Sequence, residues 1–139
     1  MGTESLDNLA RMGKLKIAAS SKHELAGLIR SGRNRLADAQ NKSLSIESRF
    51  DLAYNAAHAL SLAALRAKGF RAENRYLVFQ CLRHTVELPN EQWRVLDKAH
   101  QKRNVAEYEG EIDIDEQLLD ALIRVAGNVC DRLSALEQS

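Results

Sequence analysis

Apolar residues between positions 46 and 64 recur at alternating steps of four and three, the spacing of one helix face that packs against other helices. The members of this stripe are Ile46, Phe50, Ala53, Ala57, Leu60 and Ala64. Ser45 precedes the stripe in the position of a helix N-cap, and Gly69 follows it as a stop signal. The pattern predicts a long helix, and it restricts the chain to folds in which further helices cover this seam.

The remainder of the chain is also typical of helices, because it has one proline and no apolar–polar alternation long enough for a strand. Ser21 with Glu24, and Asp113 with Glu116, form capping-box patterns. Together with the break at Pro89, these signals predict further helices at about 21–39, 73–87, 90–103 and after residue 113. The sequence therefore predicts an all-α bundle of four to five helices.

The 139 residues are expected to divide into a loosely ordered N-terminal segment and a folded helical domain. Residues 1–20 lack strong periodicity and are predicted to be a loosely ordered N-terminal arm. Leu15 and Ile17 could anchor this arm to the helical domain. Residues 21–139 are predicted to form a single helical domain, long enough to bury most of the surface that its unfolded chain exposes.

Composition argues against several classes of function. The net charge of +1 gives no global attraction for nucleic acid, so any such contact would have to be local. No apolar run approaches the roughly 20 residues of a membrane span, and the charged N-terminus has no signal-peptide core. Cys81 and Cys130 are isolated in apolar surroundings, which predicts reduced thiols in a cytoplasmic protein. We expect no membrane contact, no metal and no cofactor.

Arg103 interrupts the apolar side of the fourth predicted helix. Ala99, Leu96 and Trp93 lie four, seven and ten positions before it, so all four residues share one helical face. An arginine on that face must find a partner, face a cleft or extend its charged end out of the packed region, because burial of an unpaired charge is costly. It is either in an ordinary surface ion pair with Glu107, one turn later, or held at a groove between helices.

Three segments of the chain resemble the HEPN superfamily, and small bacterial members most of all. They are SRFDLAYNAA at 48–57, AALRAKGFR at 63–71 and KRNVAEYEG at 102–110. The resemblance extends over about residues 21–137. It implies an up-and-down bundle of four or five helices that usually forms a homodimer. Many HEPN proteins are metal-independent ribonucleases of toxin–antitoxin, defence or RNA-processing systems, and others bind RNA or a partner such as a minimal nucleotidyltransferase without catalysis.

The chain departs from the superfamily's catalytic motif, which is an arginine, a polar residue and, after four to six further positions, a histidine. Arg103 and Asn104 match the first two elements, but the positions for the histidine hold Tyr108, Glu109 and Gly110. A tyrosine with an ordinary pKa near 10 is a poor general base at neutral pH. His100 lies one turn before Arg103 on nearly the same face and could supply an imidazole from the other side.

Three hypotheses follow for these residues. In the first, a non-catalytic module binds RNA, a nucleotide or a partner protein such as an antitoxin, through Arg103, Asn104, Glu107 and Tyr108. The second is a metal-independent ribonuclease toxin that uses Arg103 and His100. The third is a purely structural network of Arg103, Asn104 and Glu107 that fixes the fourth helix.

Two further features of the sequence, a basic patch and His58, each allow a structural and a functional interpretation. A local basic patch is either a solvated face or a phosphate contact, and it consists of Arg30, Arg33, Arg35 and Lys42. His58 follows Tyr54 by one turn among small residues, which is more typical of a packed or hydrogen-bonded histidine than of a catalytic one.

Overall fold

A computed structural model gives the fold and describes residues 2–109 and 114–137, with the side chains of residues 4–105 and 114–136. In chain order the elements are α1 (Gly2–Arg11), β1 (Lys16–Ile17), α2 (Lys22–Ala39), α3 (Ile46–Ala67), β2 (Phe70–Arg71), α4 (Arg75–Gln80), α5 (Leu82–Thr85), α6 (Asn90–Glu109) and α7 (Glu116–Glu137). The prediction of an all-α bundle is confirmed. In the described ranges, no helix is apolar over a length that would cross a membrane.

α3 is the central helix, and its ends lie where the sequence predicts them. The Ser45 side chain accepts the Ser48 N–H at 3.2 Å, and Gly69 leaves the helix with a φ of 89°, which glycine adopts without a steric penalty. The stripe from Phe50 to Ala64 is fully buried, and the helix contacts α2, α4, α5, α6 and α7. The predicted seam is therefore the centre of the core.

Close packing of α2 on α3 depends on a glycine. A Cβ atom built on Gly32 would lie 2.5 Å from Cγ of Leu60, a side chain that is fully buried and has no room to move. At Gly27, one and a half turns earlier on α2, a Cβ atom would have no neighbour within 4 Å. Gly32 therefore lets the two helices approach, whereas Gly27 only weakens α2.

The expectation of a loosely ordered arm over residues 1–20 differs from the structure. Residues 2–11 form α1, and β1 pairs antiparallel with β2, with Lys16 opposite Arg71 and Ile17 opposite Phe70. Leu6 and Leu15 are buried in a second apolar cluster, together with Leu65, Phe70, Val78 and Cys81. Ile17 is instead 78% exposed. Burial of two leucines orders a segment too short for sequence periodicity to identify.

A buried arginine ties this N-terminal layer to α3. Arg66 donates two hydrogen bonds to the Glu24 carboxylate, at 2.7 and 3.2 Å. It also donates to the carbonyl oxygens of Ala18, Ala19 and Phe70 at 2.8, 2.9 and 3.1 Å. Ser21 caps α2 through the Glu24 N–H, as the capping-box pattern predicts, but the Glu24 carboxylate binds Arg66.

The later helices differ from the prediction at their ends. The third predicted helix is divided at Cys81 into α4 and α5, and α6 extends beyond Arg103 to Glu109. Asp113, the predicted cap of α7, lies outside the described residues. The Asp115 carboxylate instead accepts the Leu118 N–H at 2.8 Å, and α7 begins at Glu116.

Candidate functional site

Tyr54 and His100 join α3 to α6 where Arg103 also lies. The Tyr54 ring is buried, and its Oη lies 2.8 Å from Nδ1 of His100. The two rings are stacked, with centroids 6.3 Å apart and an angle of 23° between their planes. His100, which the sequence suggested as a substitute for the missing motif histidine, is thus held by a side chain of the neighbouring helix.

Arg103 packs on the same tyrosine. Its guanidinium carbon lies 4.9 Å from the centroid of the Tyr54 ring, a cation–π distance, and its Nη1 lies 3.1 Å from Oδ1 of Asp51. The Arg103 side chain is 24% exposed and that of Asp51 is 56% exposed. Arg103 therefore sits between α3 and α6 at the edge of the solvent.

Asn104 makes a further contact with the imidazole of His100. Its Nδ2 lies 3.2 Å from Nε2 of His100, one turn back on α6. With the Asn104 amide in this orientation, a neutral imidazole satisfies both contacts: Nδ1–H donates to Tyr54 Oη, and Nε2 accepts from Asn104. Asn104 is exposed, so the Nε2 side of His100 is the side nearer to solvent.

A second guanidinium, which sequence reasoning missed, faces the same ring. The Cζ atom of Arg75 lies 5.7 Å from the Tyr54 ring centroid, and its Nη1 donates to Oδ1 of Asn55 at 3.1 Å. Arg75 is the first residue of α4, a position that no spacing rule in the sequence connects with Arg103. The arrangement has two arginines and one aspartate, and we call it the Tyr54 cluster: Asp51, Tyr54, Arg75, His100, Arg103 and Asn104.

Aromatic side chains support the cluster from behind. Phe79 meets the Tyr54 ring edge to face at 5.7 Å, and the Tyr76 ring lies 5.3 Å from that of His100. Loss of hydration and the neighbouring Asp97 carboxylate raise the pKa of Tyr76. Such packing fixes the rotamers of Tyr54 and His100.

His58 packs behind the aromatic side chains that support the Tyr54 cluster and is not part of the cluster. Its ring meets Phe79 edge to face at 6.0 Å. Burial, and then the charge of Arg75, lower its pKa to about 4, so the imidazole is neutral at pH 7. This matches the interpretation of His58 as a packed histidine.

The thiols and carboxylates provide no metal centre in the described ranges. Cys81 and Cys130 are both free, as predicted, and burial raises the pKa of Cys81 to about 11, which keeps it a protonated thiol. Among the described residues, no three His, Cys, Asp or Glu side chains are grouped as metal ligands.

The structure brings together Arg103, Asn104 and His100 among the predicted site residues. The backbone of Glu107 and Tyr108 continues α6, but their side chains lie outside the described residues, so the predicted roles of these two stay predictions. Asp51 and Tyr54 lie within a segment that carries the HEPN resemblance. Comparison of the chain with family models, with curated proteins and with solved structures gives no match.

Proposed function

We propose that the Tyr54 cluster binds a phosphate-bearing ligand, single-stranded RNA or a nucleotide, without cleaving it. We further propose that the chain is HEPN-like and cytoplasmic and that it forms a homodimer. It would act in a toxin–antitoxin or defence system, with a nucleotidyltransferase or an antitoxin as its partner. The observation that carries it is the pair of guanidinium groups, Arg75 and Arg103, against one tyrosine ring.

The chemistry of these groups suits phosphate. A guanidinium offers a planar fork of donors that matches two phosphate oxygens, and arginine planes and aromatic rings also stack with bases. Asp51 occupies one such donor of Arg103 in the free protein. Because Asp51 is more than half exposed, this ion pair contributes little stability and can exchange for a phosphate oxygen.

Fluorescence polarisation with a labelled single-stranded RNA, and separately with labelled ATP, tests the proposal. Arg103→Gln and Arg75→Gln should each weaken binding about tenfold, the effect of losing one charge-assisted hydrogen bond. Arg94→Gln is the matched control, because Arg94 is an exposed arginine nine positions before Arg103, on the opposite face of α6. If neither probe binds, or if all three variants bind alike, the ligand proposal fails.

The second candidate is a metal-independent ribonuclease, favoured by the placement of His100 beside Arg103 on one ring. In that reaction Nε2 of His100 would accept the 2′-hydroxyl proton as the 2′-oxygen attacks phosphorus, and Arg103 would stabilise the charge on the phosphate. The P–O5′ bond would then break, and the leaving 5′-oxygen would take a proton from water. It predicts RNA cleavage that resists EDTA and growth arrest on expression, both abolished by His100→Ala. Intact RNA after incubation with the wild type, together with unimpaired growth, would leave only the binding function.

The hypothesis that Arg103 is purely structural is tested by measuring the stability of an Arg103 variant. If Arg103 serves mainly to fix α6, Arg103→Ala should lower the free energy of unfolding by about 1–3 kcal/mol, because it leaves polar partners without a donor. A variant that melts like the wild type yet loses RNA binding assigns Arg103 to the ligand.

A further inference from the structure

One face of α2 lines a groove on the surface of the bundle. The groove has a volume of about 620 Å³, and its lining residues recur at steps of three and four, which places them along one side of the helix. Its apolar members are Leu25, Ala26 and Ile29, and its cationic members are Lys22, Arg30 and Arg33. At 1.5 Å per residue, the stretch from Lys22 to Arg33 is about 17 Å long.

A second, smaller cavity extends the apolar floor toward α7. It measures about 210 Å³ and shares Leu25 and Ile29 with the first. Its other lining residues come from the last turns of α3 and α7, and they are Ala63, Ala67, Leu133 and Leu136. The two cavities adjoin at Leu25 and Ile29, and we call them together the α2–α7 groove.

The charged side chains known to line the α2–α7 groove carry one sign. Three of the lining residues are cationic, and none of the lining residues among the described side chains is a carboxylate. Arg33 is held in place, because its guanidinium donates to Oγ of Ser134 at 2.9 Å and to Sγ of Cys130 at 3.4 Å. The nearest carboxylate in sequence on α2, that of Glu24, is bound to Arg66.

The apolar and cationic lining of the α2–α7 groove favours one kind of binding partner over a second copy of the chain or a nucleic acid. A second copy that used the same face around a two-fold axis would bring the two cationic sets together, and like charges repel. Nucleic acid would use the cations but leave the exposed apolar surface of Leu25 and Ala26 uncovered. An amphipathic helix with apolar residues on one side and Asp or Glu on its flanks would both cover the apolar lining residues and pair with the cationic ones.

We propose that the α2–α7 groove is a docking site for an acidic amphipathic helix of a partner protein. Such a helix would place apolar side chains over Leu25 and Ala26 and carboxylates against Lys22 and Arg30. The groove lies at the C-terminal end of α3, whereas the Tyr54 cluster lies in its N-terminal half, so this interaction is separate from the proposed ligand site.

A display selection on the folded protein tests this proposal. The library consists of helical peptides with apolar residues fixed at helical spacing and flanking positions randomised among Glu, Lys and Gln. We expect Glu to be enriched, and we expect synthetic copies of the selected peptides to bind Ala26→Trp and Arg30→Glu at least about tenfold more weakly than the wild type. Ala26 is exposed, so the tryptophan fills the groove without entering the core.

Two matched variants of the same surface serve as controls. Ala37→Trp adds the same bulk further along α2, and Lys42→Glu makes the same charge reversal at a residue that lines neither cavity. Both should bind the peptides like the wild type. Enrichment of Lys or Gln, or binding that Ala26→Trp leaves unchanged, contradicts the proposal. A dimer or an RNA complex that Ala26→Trp abolishes would also overturn it, in favour of a second copy or of nucleic acid.

Discussion

At the scale of single residues, Tyr54 organises the candidate site because it uses its hydroxyl and its ring for different partners. The hydroxyl bonds His100, and the ring carries the guanidinium groups of Arg103 and Arg75. Helical spacing alone predicts that His100 and Arg103 share a face. The partners of these two residues depend on how α3 and α4 pack against α6, and spacing along one helix does not contain that information.

Asp51 gives the sharpest test of what Arg103 binds. Asp51→Asn removes the carboxylate that lies 3.1 Å from Arg103 and leaves the shape of the side chain unchanged. We expect RNA to bind two- to fivefold more tightly, as an order of magnitude, because a competing negative charge is lost. Titrations of both proteins at equal ionic strength measure this, and weaker binding by the variant would mean that Asp51 positions Arg103 for its ligand.

His58 predicts a specific dependence of stability on pH. Its pKa in the folded protein is about 4, below the ordinary 6.5, so between these values the unfolded chain binds a proton that the folded chain does not. The free energy of unfolding should therefore fall as the pH falls from about 6.5 to 4.

Urea denaturation of the wild type and of His58→Gln at pH 7 and pH 5 checks this dependence. The loss of stability between the two pH values should be smaller in the variant. Burial also lowers the pKa of His84, so His84→Gln is a useful comparison that should retain most of the slope. Equal slopes in the wild type and His58→Gln would show that His58 is accessible to protons in the folded state.

At the scale of helices and strands, capping residues and glycines mark the boundaries that the sequence predicts well. Ser21 and Ser45 cap α2 and α3, and Gly69 ends α3, as their local patterns indicate. The division of the third predicted helix at Cys81 and the ordering of α1 have no such local signal. They follow from tertiary burial of Leu6, Leu15 and Cys81 in the second apolar cluster.

The two glycines of α2 form a matched pair of substitutions with opposite expected effects. Gly27→Ala should raise the free energy of unfolding by up to about 1 kcal/mol, because alanine favours the helix and its Cβ atom meets nothing within 4 Å. Gly32→Ala should lower it by about 1–3 kcal/mol, because the new methyl group overlaps Leu60. Thermal melts read by circular dichroism compare the two, and a stabilised Gly32→Ala would refute the close contact of α2 with α3.

At the scale of the whole molecule, Arg66 links the N-terminal layer to the bundle. Arg66→Met should lower the free energy of unfolding by about 2–4 kcal/mol, because three carbonyl oxygens lose their donor. Amide hydrogen exchange should also accelerate first around residues 15–19. The exposed Arg124→Met is the control, and uniform acceleration across the chain would show that the layer does not unfold separately.

Arg75 and Arg103 of the Tyr54 cluster form the proposed phosphate site, and the most direct test compares two double variants of equal charge. Arg75→Gln/Arg103→Gln loses the cluster's guanidinium groups, whereas Arg94→Gln/Arg124→Gln loses two exposed arginines elsewhere. In polarisation titrations with single-stranded RNA at one salt concentration, the first should bind about a hundredfold more weakly than the wild type and the second within about threefold. Equal losses in the two double variants would contradict the account, because only net charge would then govern binding.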